Sequence, residues 1–444
     1  LVFDVKTTGW FSVWQGAAGL DVGAVVLFSS VAGRFGNQGQ TDYSAANDLL
    51  CKVASHMRRT RPATRAIALD WTAWGGIGMA TRGSIPKIME MAGVQMLPPE
   101  AGVAWIRREL VSSDFSGEVI VAGDLGAMAA EADAHGGVDS ARLAGEVGPM
   151  VGQVRASTND GLVVTVTLDP PSQGFLQDHR IDGTPVLPGV MGMEAFAEAA
   201  AVIAPAGYAV RGIEGVTFAA PFKFYRDEPR EVTVYAVVTP DPAGGEDLVA
   251  HCRLTGSRAL PGSERPTVTT HFTGRVRLSR DAPAAERAEV ADAAEPALSA
   301  AQVYTFYFHG PAYQVIEGAW RDGEGSAARL TDPLPPNHSP EDVPVLSAPR
   351  LVELCFQTAG LLQAGRDGVL ALPLGVDRVR VLADPAGAQG PLLAKAEASG
   401  EAFDVVVVDA DGGVVVKLEG YATIPFPAAI PGDIAETLRA TYQH

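Results

Sequence analysis

The feature that most constrains the fold is an apolar stretch at residues 190–203, which is dense in Ala, Met and Phe. A stretch of this length and composition predicts a buried helix. Strand-like runs separated by Gly, Pro and Asp turns follow it, so we expect several antiparallel strands wrapped around one helix. These runs are residues 212–218, 221–225, 230–239, 247–255 and 267–278.

The second half of the chain repeats this plan around a helix predicted at residues 349–364. Residues 281–299 lie between the halves, are rich in Ala, Glu, Pro and Asp, and read as a linker. A helix wrapped by a sheet, twice, indicates an internal duplication, although the halves are not obviously similar in sequence. The runs around the second helix are residues 300–307, 313–321, 325–331, 375–382, 390–398, 402–409 and 412–424.

Composition excludes several classes of function. The 444 residues suffice for two or three domains, and the net charge of −18 argues against a nucleic-acid-binding surface. Three widely spaced cysteines, Cys51, Cys252 and Cys355, predict neither disulfides nor a metal site and suit a reducing cytoplasm. We find no membrane-length apolar run and no signal peptide. Because the chain begins at Leu1, inside what reads as a domain, we expect a piece of a longer polypeptide.

A candidate base precedes the first helix. His179 is followed by Gly183 and then by Pro188, which opens the apolar helix beginning near Val190. Gly183 would let a backbone N–H approach a ligand, and a helix N-terminus favours developing negative charge. A base beside oriented N–H donors suits proton abstraction next to a carbonyl. On spacing alone, however, a solvated turn histidine before a core helix explains the pattern better.

These three residues match a known signature. His179, Gly183 and Pro188 resemble the HxxxGxxxxP motif of polyketide synthase dehydratase domains, and the Leu-Pro-Gly-Val sequence at 187–190 extends the match. The resemblance implies a double hot-dog fold of the α+β class. It also implies that His179 is the base and that Gly183, Pro188 and Val190 contact the substrate. The implied reaction removes water from a carrier-protein-bound β-hydroxyacyl thioester and gives an α,β-enoyl thioester.

The second helix supplies a candidate acid. The segment 349–357 resembles the PxLLDxxxQ sequence of the same family, with Glu353 at the position of the acidic aspartate and Gln357 one helical turn later. For Glu353 to be an acid near neutral pH its pKa has to rise, which burial beside apolar neighbours would cause. The alternative is a structural glutamate near the helix N-terminus, where the dipole lowers the pKa.

A third segment resembles the YGPxF sequence that lines the substrate tunnel in this family. Here His309 replaces the tyrosine, Tyr313 replaces the phenylalanine, and Gly310 and Pro311 would form a tight turn against the strand of His179. We expect these residues to contact substrate. His309 is either a second polar group of the site or a packed, hydrogen-bonded side chain. Residues 372–376 resemble the LPxGI-like sequence at which a strand begins in this family, and we expect them to have a structural role.

The N-terminal region carries a different constellation. A buried strand predicted at residues 22–28 ends at Ser30, and Tyr43 and Asn47 lie in a helix predicted at 43–59. A tyrosine and a serine can polarise a carbonyl together, provided that a cation such as Lys6 makes the tyrosine a better acid. Without further matches this spacing is weak and is better explained by coincidence.

The flanking residues strengthen the N-terminal pattern. Lys6, Ser30, Tyr43 and Asn47 resemble the catalytic set of a polyketide synthase ketoreductase, a Rossmann-like α/β short-chain dehydrogenase, and residues 71–79 resemble its WGxWxGxGM segment. The resemblance implies NADPH, contacted by Lys6, Tyr43 and Trp74, and no cofactor for the dehydratase. Ser29 is the rival for the serine. The glycine-rich GxGxxG fingerprint for the cofactor pyrophosphate is absent, so residues 1–128 look like the carboxyl half of such a domain.

The domain plan and its context follow from these resemblances. We expect an acyl carrier protein bearing a phosphopantetheine-tethered substrate, other domains of one synthase and a second copy of the chain as partners. The order of reductase before dehydratase resembles iterative enediyne or polyunsaturated-type synthases. A product-template cyclisation domain, a hot-dog thioesterase and a silent structural module stay open. The expected ranges are 1–128 for the ketoreductase part, 129–156 for a linker, 157–282 for the first hot-dog, 283–299 for a second linker, 300–430 for the second hot-dog and 431–444 for a tail.

Overall fold

The structure is a computed structural model that describes residues 2–61, 63–81, 83, 85–111, 117–130, 148–157, 161–258, 266–291, 295–426 and 429–443. The chain divides into two compact units. The N-terminal unit comprises residues 1–137 with 157–160, and the C-terminal unit comprises residues 138–156 with 161–444. Among the described residues, no helix is both long enough and apolar enough to cross a bilayer.

The N-terminal unit is built on a parallel sheet of three strands in the order β1-β2-β3. Strand β2 is buried almost throughout, as expected for a parallel strand covered on both faces, and helix α3 packs against all three strands. This confirms the predicted strand at 22–28 and helix at 43–59. The elements are α1 Val2–Gly16, β1 Ala24–Ser30, α2 Val31–Phe35, α3 Thr41–Thr60, β2 Arg65–Trp71, α4 Ile85–Met91, α5 Pro99–Val111, β3 Gly117–Val121 and α6 Ala127–Ala130.

The first half of the C-terminal unit wraps its strands around helix α8. Nearly every side chain of this helix is buried, because its Ala, Met and Phe residues are apolar on all sides. It packs against five strands of the sheet. The elements are β4 Gln153–Ser157, β5 Gly161–Leu168, α7 Gly174–Gln177, β6 Arg180–Ile181, β7 Thr184–Pro185, α8 Gly189–Ile203, β8 Ala209–Phe218, β9 Arg230–Pro240, β10 Leu248–Arg258 and β11 Thr267–Ser279.

The second half repeats the arrangement around helix α10, which has Pro349 in its first turn and ends at Gly368 in a left-handed conformation (φ 71°). The elements are β12 Leu298–Ser299, α9 Ala300–Val303, β13 Ile316–Asp322, β14 Gly325–Leu330, α10 Pro349–Asp367, β15 Leu370–Val381, β16 Leu393–Ser399, β17 Ala402–Val408, β18 Val414–Phe426 and α11 Gly432–Tyr442.

One 13-stranded sheet runs through both halves in the order β12-β13-β14-β16-β17-β18-β15-β8-β11-β10-β9-β5-β4. The halves join where β8 pairs antiparallel with β15, for example Ile213 opposite Val379. Each half therefore contributes one buried helix and its own strands. At the junction, the edge strands of the two halves form backbone hydrogen bonds with each other. This confirms the predicted double hot-dog.

Three local predictions were wrong. Residues 221–225 form no strand, because Phe222 and Phe224 are buried in a segment held by isolated backbone hydrogen bonds to Leu187 and Pro185. Residues 300–307 begin with helix α9 instead of a strand. The expected tail contains helix α11, which packs against α10 through apolar residues at helical spacing: Ile434, Leu438 and Tyr442.

The expected linkers also contain structure. Within 129–156, residues 153–157 form the edge strand β4, and residues 131–147 lie outside the described part of the chain. Within 283–299, Ala291 packs in a buried cluster with Trp320, and strand β12 closes the segment. Low periodicity in these segments therefore did not mean that they lack contacts. The other domain boundaries remain predictions.

Candidate active site

His179 lies in the short loop between α7 and β6, and its side chain is buried. Its Nδ1 lies 2.7 Å from the carbonyl oxygen of Val186. Because a carbonyl only accepts, Nδ1 carries the proton and Nε2 keeps a lone pair. Burial and the neighbouring His309 lower the pKa of His179 to about 4. The charge of Glu353 opposes this shift but does not cancel it. The ring is therefore a neutral base at neutral pH.

The glycine of the motif has a different place from the expected one. Asp182 and Gly183 both have positive φ (50° and 75°) and connect strands β6 and β7 as a tight hairpin turn. Gly183 is exposed and does not line the cavity described below. Its conformational freedom therefore shapes the hairpin that returns the chain from His179 to Val186, and we correct the predicted ligand contact.

Helix α10 presents the predicted acid. Glu353 is 5% exposed, and its Oε1 accepts a hydrogen bond from Nε2 of Gln357, one turn later, at 2.9 Å. The helix aligns the two side chains because residues four apart share a face. The structure thus brings the predicted pair together.

Three tyrosines hold the amide of Gln357. The Tyr304 hydroxyl donates to its Oε1 at 2.8 Å, and its Nε2 donates to the Tyr313 carbonyl at 3.0 Å. The Tyr307 hydroxyl donates to the backbone carbonyl of Gln357 at 3.0 Å. Burial raises the pKa of all three tyrosines, so they stay protonated. The sequence reasoning missed Tyr304 and Tyr307, whose only signal was their closeness to the His309 segment.

His309 is a polar group of the site and not merely a packed side chain. Its Nε2 lies 3.1 Å from Oε1 of Glu353, and its ring centroid lies 5.4 Å from that of His179. Burial raises the pKa of Glu353, but the hydrogen bond and charge of His309, with smaller contributions from His179 and Gln357, bring it below its ordinary value. The predicted rise is therefore wrong, because the sequence did not show that His309 contacts the carboxyl.

The turn at Gly310 and Pro311 is fastened to the residue before His179. The carbonyl of Asp178 accepts from the Gly310 amide at 2.7 Å, and its Oδ2 accepts from the Ala312 amide at 2.7 Å. A Cβ on Gly310 would lie 2.4 Å from the Asp178 side chain, so only glycine fits. This confirms the predicted contact between the turn and the histidine segment, which brings His309 opposite His179.

A cavity of about 370 Å³ opens between these groups. His179, His309, Glu353 and Gln357 line it, as does Gly189 at the start of α8. Five other predicted contacts are not part of this lining: Pro188, Val190, Gly310, Pro311 and Tyr313. The sequence reasoning missed most of the apolar wall, which includes Phe218, Phe272, Phe308, Phe356, Leu372, Leu374, Tyr421 and Ile424.

The N-terminal unit brings three of its predicted residues together. Lys6 Nζ donates to Asn47 Oδ1 at 2.6 Å and lies 5.7 Å from the centroid of the Tyr43 ring, and Asn47 Nδ2 donates to the Tyr43 carbonyl at 2.7 Å. Burial lowers the pKa of Lys6, opposed by the charges of Cys51 and Asp70. The group therefore has the cation beside the tyrosine that the sequence predicted.

The serine and the tryptophan are placed differently. Ser30 caps helix α2 by accepting from the Ala32 amide at 3.2 Å, whereas the Ser29 hydroxyl is turned inward onto the Asn47 carbonyl at 3.0 Å. This arrangement favours Ser30 over its rival. Trp74 packs against Trp71, with ring centroids 5.1 Å apart.

Family comparisons agree with this geometry. A model of the KR domain matches residues 1–76, a model of the polyketide synthase dehydratase domain matches residues 148–251, and a model of the polyketide synthase dehydratase N-terminal domain matches residues 277–433. The two dehydratase models together match more than half of the chain.

Relatives and solved structures point the same way. A component of the polyunsaturated fatty acid synthase of Thraustochytrium sp. is 28% identical over 71% of this chain, and polyketide synthase GfsB of Streptomyces halstedii is 28% identical over 60%. The aligned part spans only 10% and 5% of those proteins. The dehydratase domain from the CurF module of the curacin synthase (TM-score 0.52, 16% identity, 64% of this chain and 100% of that one) shares the fold, as does a trans-AT dehydratase domain from Brevibacillus brevis (0.51, 18%, 63% and 98%).

A double hot-dog with a buried histidine and a buried carboxyl around one cavity agrees with these dehydratase matches. The family models identify a polyketide synthase dehydratase domain in this chain, preceded by part of a ketoreductase domain. Ketoreductase domains use a nicotinamide cofactor of the NADPH type. Lys6, Tyr43 and Trp74 could contact its nicotinamide end, but the sequence has no glycine-rich pyrophosphate cradle. These residues do not fit the whole cofactor, and no step is derived through it.

Proposed function

We propose that this chain removes water from a β-hydroxyacyl thioester to give an α,β-enoyl thioester. The observation that carries the proposal is that His179, with its free Nε2, and the Glu353 carboxyl line the same cavity from the two hot-dog halves. An elimination needs a base on one side of the substrate and an acid on the other. The cavity supplies both on buried side chains, whose electrostatic interactions are stronger than they would be in bulk water.

In the proposed reaction, Nε2 of His179 takes the proton from the α-carbon of the thioester. The backbone N–H of Gly189, in the first turn of α8, has no partner within the helix by position and faces the developing enolate oxygen. The β-hydroxyl leaves with a proton from the acid end, formed by Glu353, Gln357 and His309. Ground-state hydrogen bonds among these three residues hold the acid end in place before the substrate arrives.

The partners follow from this chemistry. We propose that the substrate hangs from the phosphopantetheine arm of an acyl carrier protein and that neighbouring domains of an iterative enediyne or polyunsaturated-type synthase supply it. We propose a homodimer as the assembly and a reducing cytoplasm as its location. The three free, buried cysteines support the reducing location. Reduction of the β-keto group by a complete ketoreductase domain that includes Lys6, Ser30, Tyr43 and Asn47 is the proposed preceding step.

Mass spectrometry of the whole chain with a β-hydroxyacyl pantetheine thioester tests the proposal. Wild type should give the product lighter by one water, and His179→Ala should not. Free acid in place of the enoyl thioester would indicate a thioesterase. A cyclised product would indicate a template domain, and unchanged substrate with a folded protein would indicate a silent module. Each of these outcomes contradicts the dehydratase proposal.

A further inference from the structure

A buried carboxyl of helix α8 joins the two hot-dog halves. Glu194 is fully buried in the first half, and both of its oxygens accept hydrogen bonds from the second half. Oε1 accepts from the Leu346 amide at 2.6 Å, and Oε2 accepts from the Ser347 amide at 2.8 Å and from the Ser347 hydroxyl. A buried carboxyl is tolerated only where such bonds satisfy it. Because Glu194 does not line the cavity, its role depends on the segment that it holds.

That segment leads directly into the helix of the proposed acid. Leu346 and Ser347 are followed by Ala348, the N-cap of α10, whose left-handed conformation (φ 50°, ψ 59°) is rare for a residue with a Cβ. The Ala348 carbonyl accepts from the Leu351 and Val352 amides at 2.9 Å and 3.1 Å and so begins the helix. An alanine has no side-chain oxygen with which to cap a helix. The start of α10 therefore depends on the two residues that the buried carboxyl holds.

The loop before α10 also contacts the helix that precedes the base. The Asn337 carbonyl accepts from the Phe175 amide at 2.8 Å. The Ser339 amide donates to the Gln173 side chain, and the Ser339 carbonyl accepts from it, each at 3.1 Å. Helix α7, which these bonds hold, ends two residues before His179. The loop therefore contacts the elements next to the base and leads into the helix that carries the acid.

We infer that Glu194 is a positioning residue, which holds the start of helix α10 and thereby places Glu353 opposite His179. The inference rests on the proposed dehydration. Glu194 touches neither the substrate nor the reacting atoms, and it acts by fixing the acid end of the second half relative to the base of the first. Elimination is sensitive to this distance, because a displacement of about 1 Å can cost about 10²-fold in rate.

Glu194→Gln is the sharpest variant, because it keeps the shape of the side chain but replaces one acceptor oxygen with an NH₂ donor. In either orientation the glutamine leaves the Leu346 or the Ser347 amide facing another donor. We expect kcat for enoyl formation to fall about 10- to 100-fold, with KM little changed because the cavity lining keeps its residues. The matched control is Glu198→Gln, one turn later and also buried, where a glutamine oxygen can still accept from the Met150 amide. This control should keep wild-type kcat.

A change of leaving group separates positioning of the acid end from general damage to the fold. With a β-chloroacyl pantetheine thioester, the α-proton goes to His179, chloride leaves with the C–Cl electron pair, and the same enoyl thioester forms. Because chloride needs no proton, Glu194→Gln should lose less than about threefold on this substrate, once the non-enzymatic elimination is subtracted. Equal losses on the chloro and hydroxy substrates would show that the substitution disturbs the whole site, and the inference would be wrong.

The wild-type chain tests the proposed function separately. Wild type that forms no enoyl product from the hydroxy substrate would contradict the dehydratase proposal, whereas wild-type kcat in Glu194→Gln would overturn only the positioning role. If Glu194→Gln does not fold, Ser347→Ala takes its place, since it removes the hydroxyl donor and keeps both amide bonds. Its kcat should fall less, and again on the hydroxy substrate alone. An unchanged kcat in that variant would then contradict the inference.

Discussion

Two groups of polar residues in this chain match known catalytic sets, and they differ in enclosure. In the C-terminal unit, His179, His309 and Glu353 are nearly buried around one cavity. In the N-terminal unit, Lys6 and Tyr43 are half-buried, and Phe28 beside them is 55% exposed. Coulombic interactions are stronger where water is excluded, so the charges of the first group are screened less than those of Lys6 and its neighbours. Residue spacing therefore identifies both motifs, whereas the burial of their side chains decides how strongly the charged groups interact.

The largest effect is expected from removing the base. His179→Ala should reduce kcat for enoyl formation by about 10²- to 10⁴-fold, because Nε2 of His179 is the group proposed to take the α-proton. Wild-type kcat/KM should fall on the acid side only near pH 4, where His179 becomes protonated. Steady-state assays with circular dichroism on each variant measure both. An acid limb near the ordinary histidine pKa would show that the cavity is wetter than its walls indicate.

A smaller effect is expected at Gln357. Gln357→Leu removes a donor to a charged oxygen, worth about 1.5–3 kcal/mol, so kcat should fall roughly 10- to 100-fold. Tyr304→Phe is the graded control, because it keeps the Gln357 amide but removes the hydrogen bond that orients it. Its kcat should fall less than that of Gln357→Leu. Equal losses in the two variants would contradict the view that Gln357 acts mainly through its contact with Glu353.

Glu198 on helix α8 should control stability and not turnover. Burial and the neighbouring Glu194 raise the pKa of Glu198 to about 10. The folded state therefore holds a proton that the unfolded state releases above about pH 4.5, and the free energy of unfolding should fall as the pH rises toward 10. In urea titrations, Glu198→Gln should reduce the loss of unfolding free energy between pH 6 and pH 9 by about 1 kcal/mol or more. An unchanged slope would place the titration elsewhere.

The smallest effect on dehydration is expected from the N-terminal group, in which Asn47 is fully buried. Asn47→Ala removes the hydrogen bonds to Lys6 and to the Tyr43 carbonyl and should cost the N-terminal unit about 1 kcal/mol. Dehydration by the C-terminal unit should change less than about twofold, since such contacts act within a site. A parallel loss of enoyl formation would show that the two units are coupled.

Much of the fold could be predicted from the sequence, because its signals are local. The apolar composition of 190–203 gave helix α8, and the alternation at 230–239 gave strand β9. Helix α11 lies in the segment predicted as a tail, although Ile434, Leu438 and Tyr442 have helical spacing. The segment at 221–225 was misassigned because apolar residues alone do not distinguish a strand from a buried loop.

For the site, the sequence by itself determined the candidate residues: a histidine before one buried helix and a carboxyl with an amide one turn later on the other. Only the tertiary structure decided how they act. In the tertiary structure, Gly183 lies in a hairpin turn, aromatic side chains form part of the cavity wall, and His309 contacts Glu353. The reason is that pKa values and proton positions depend on neighbours far apart in the chain, such as the residues 309 and 353 joined by one 3.1 Å contact.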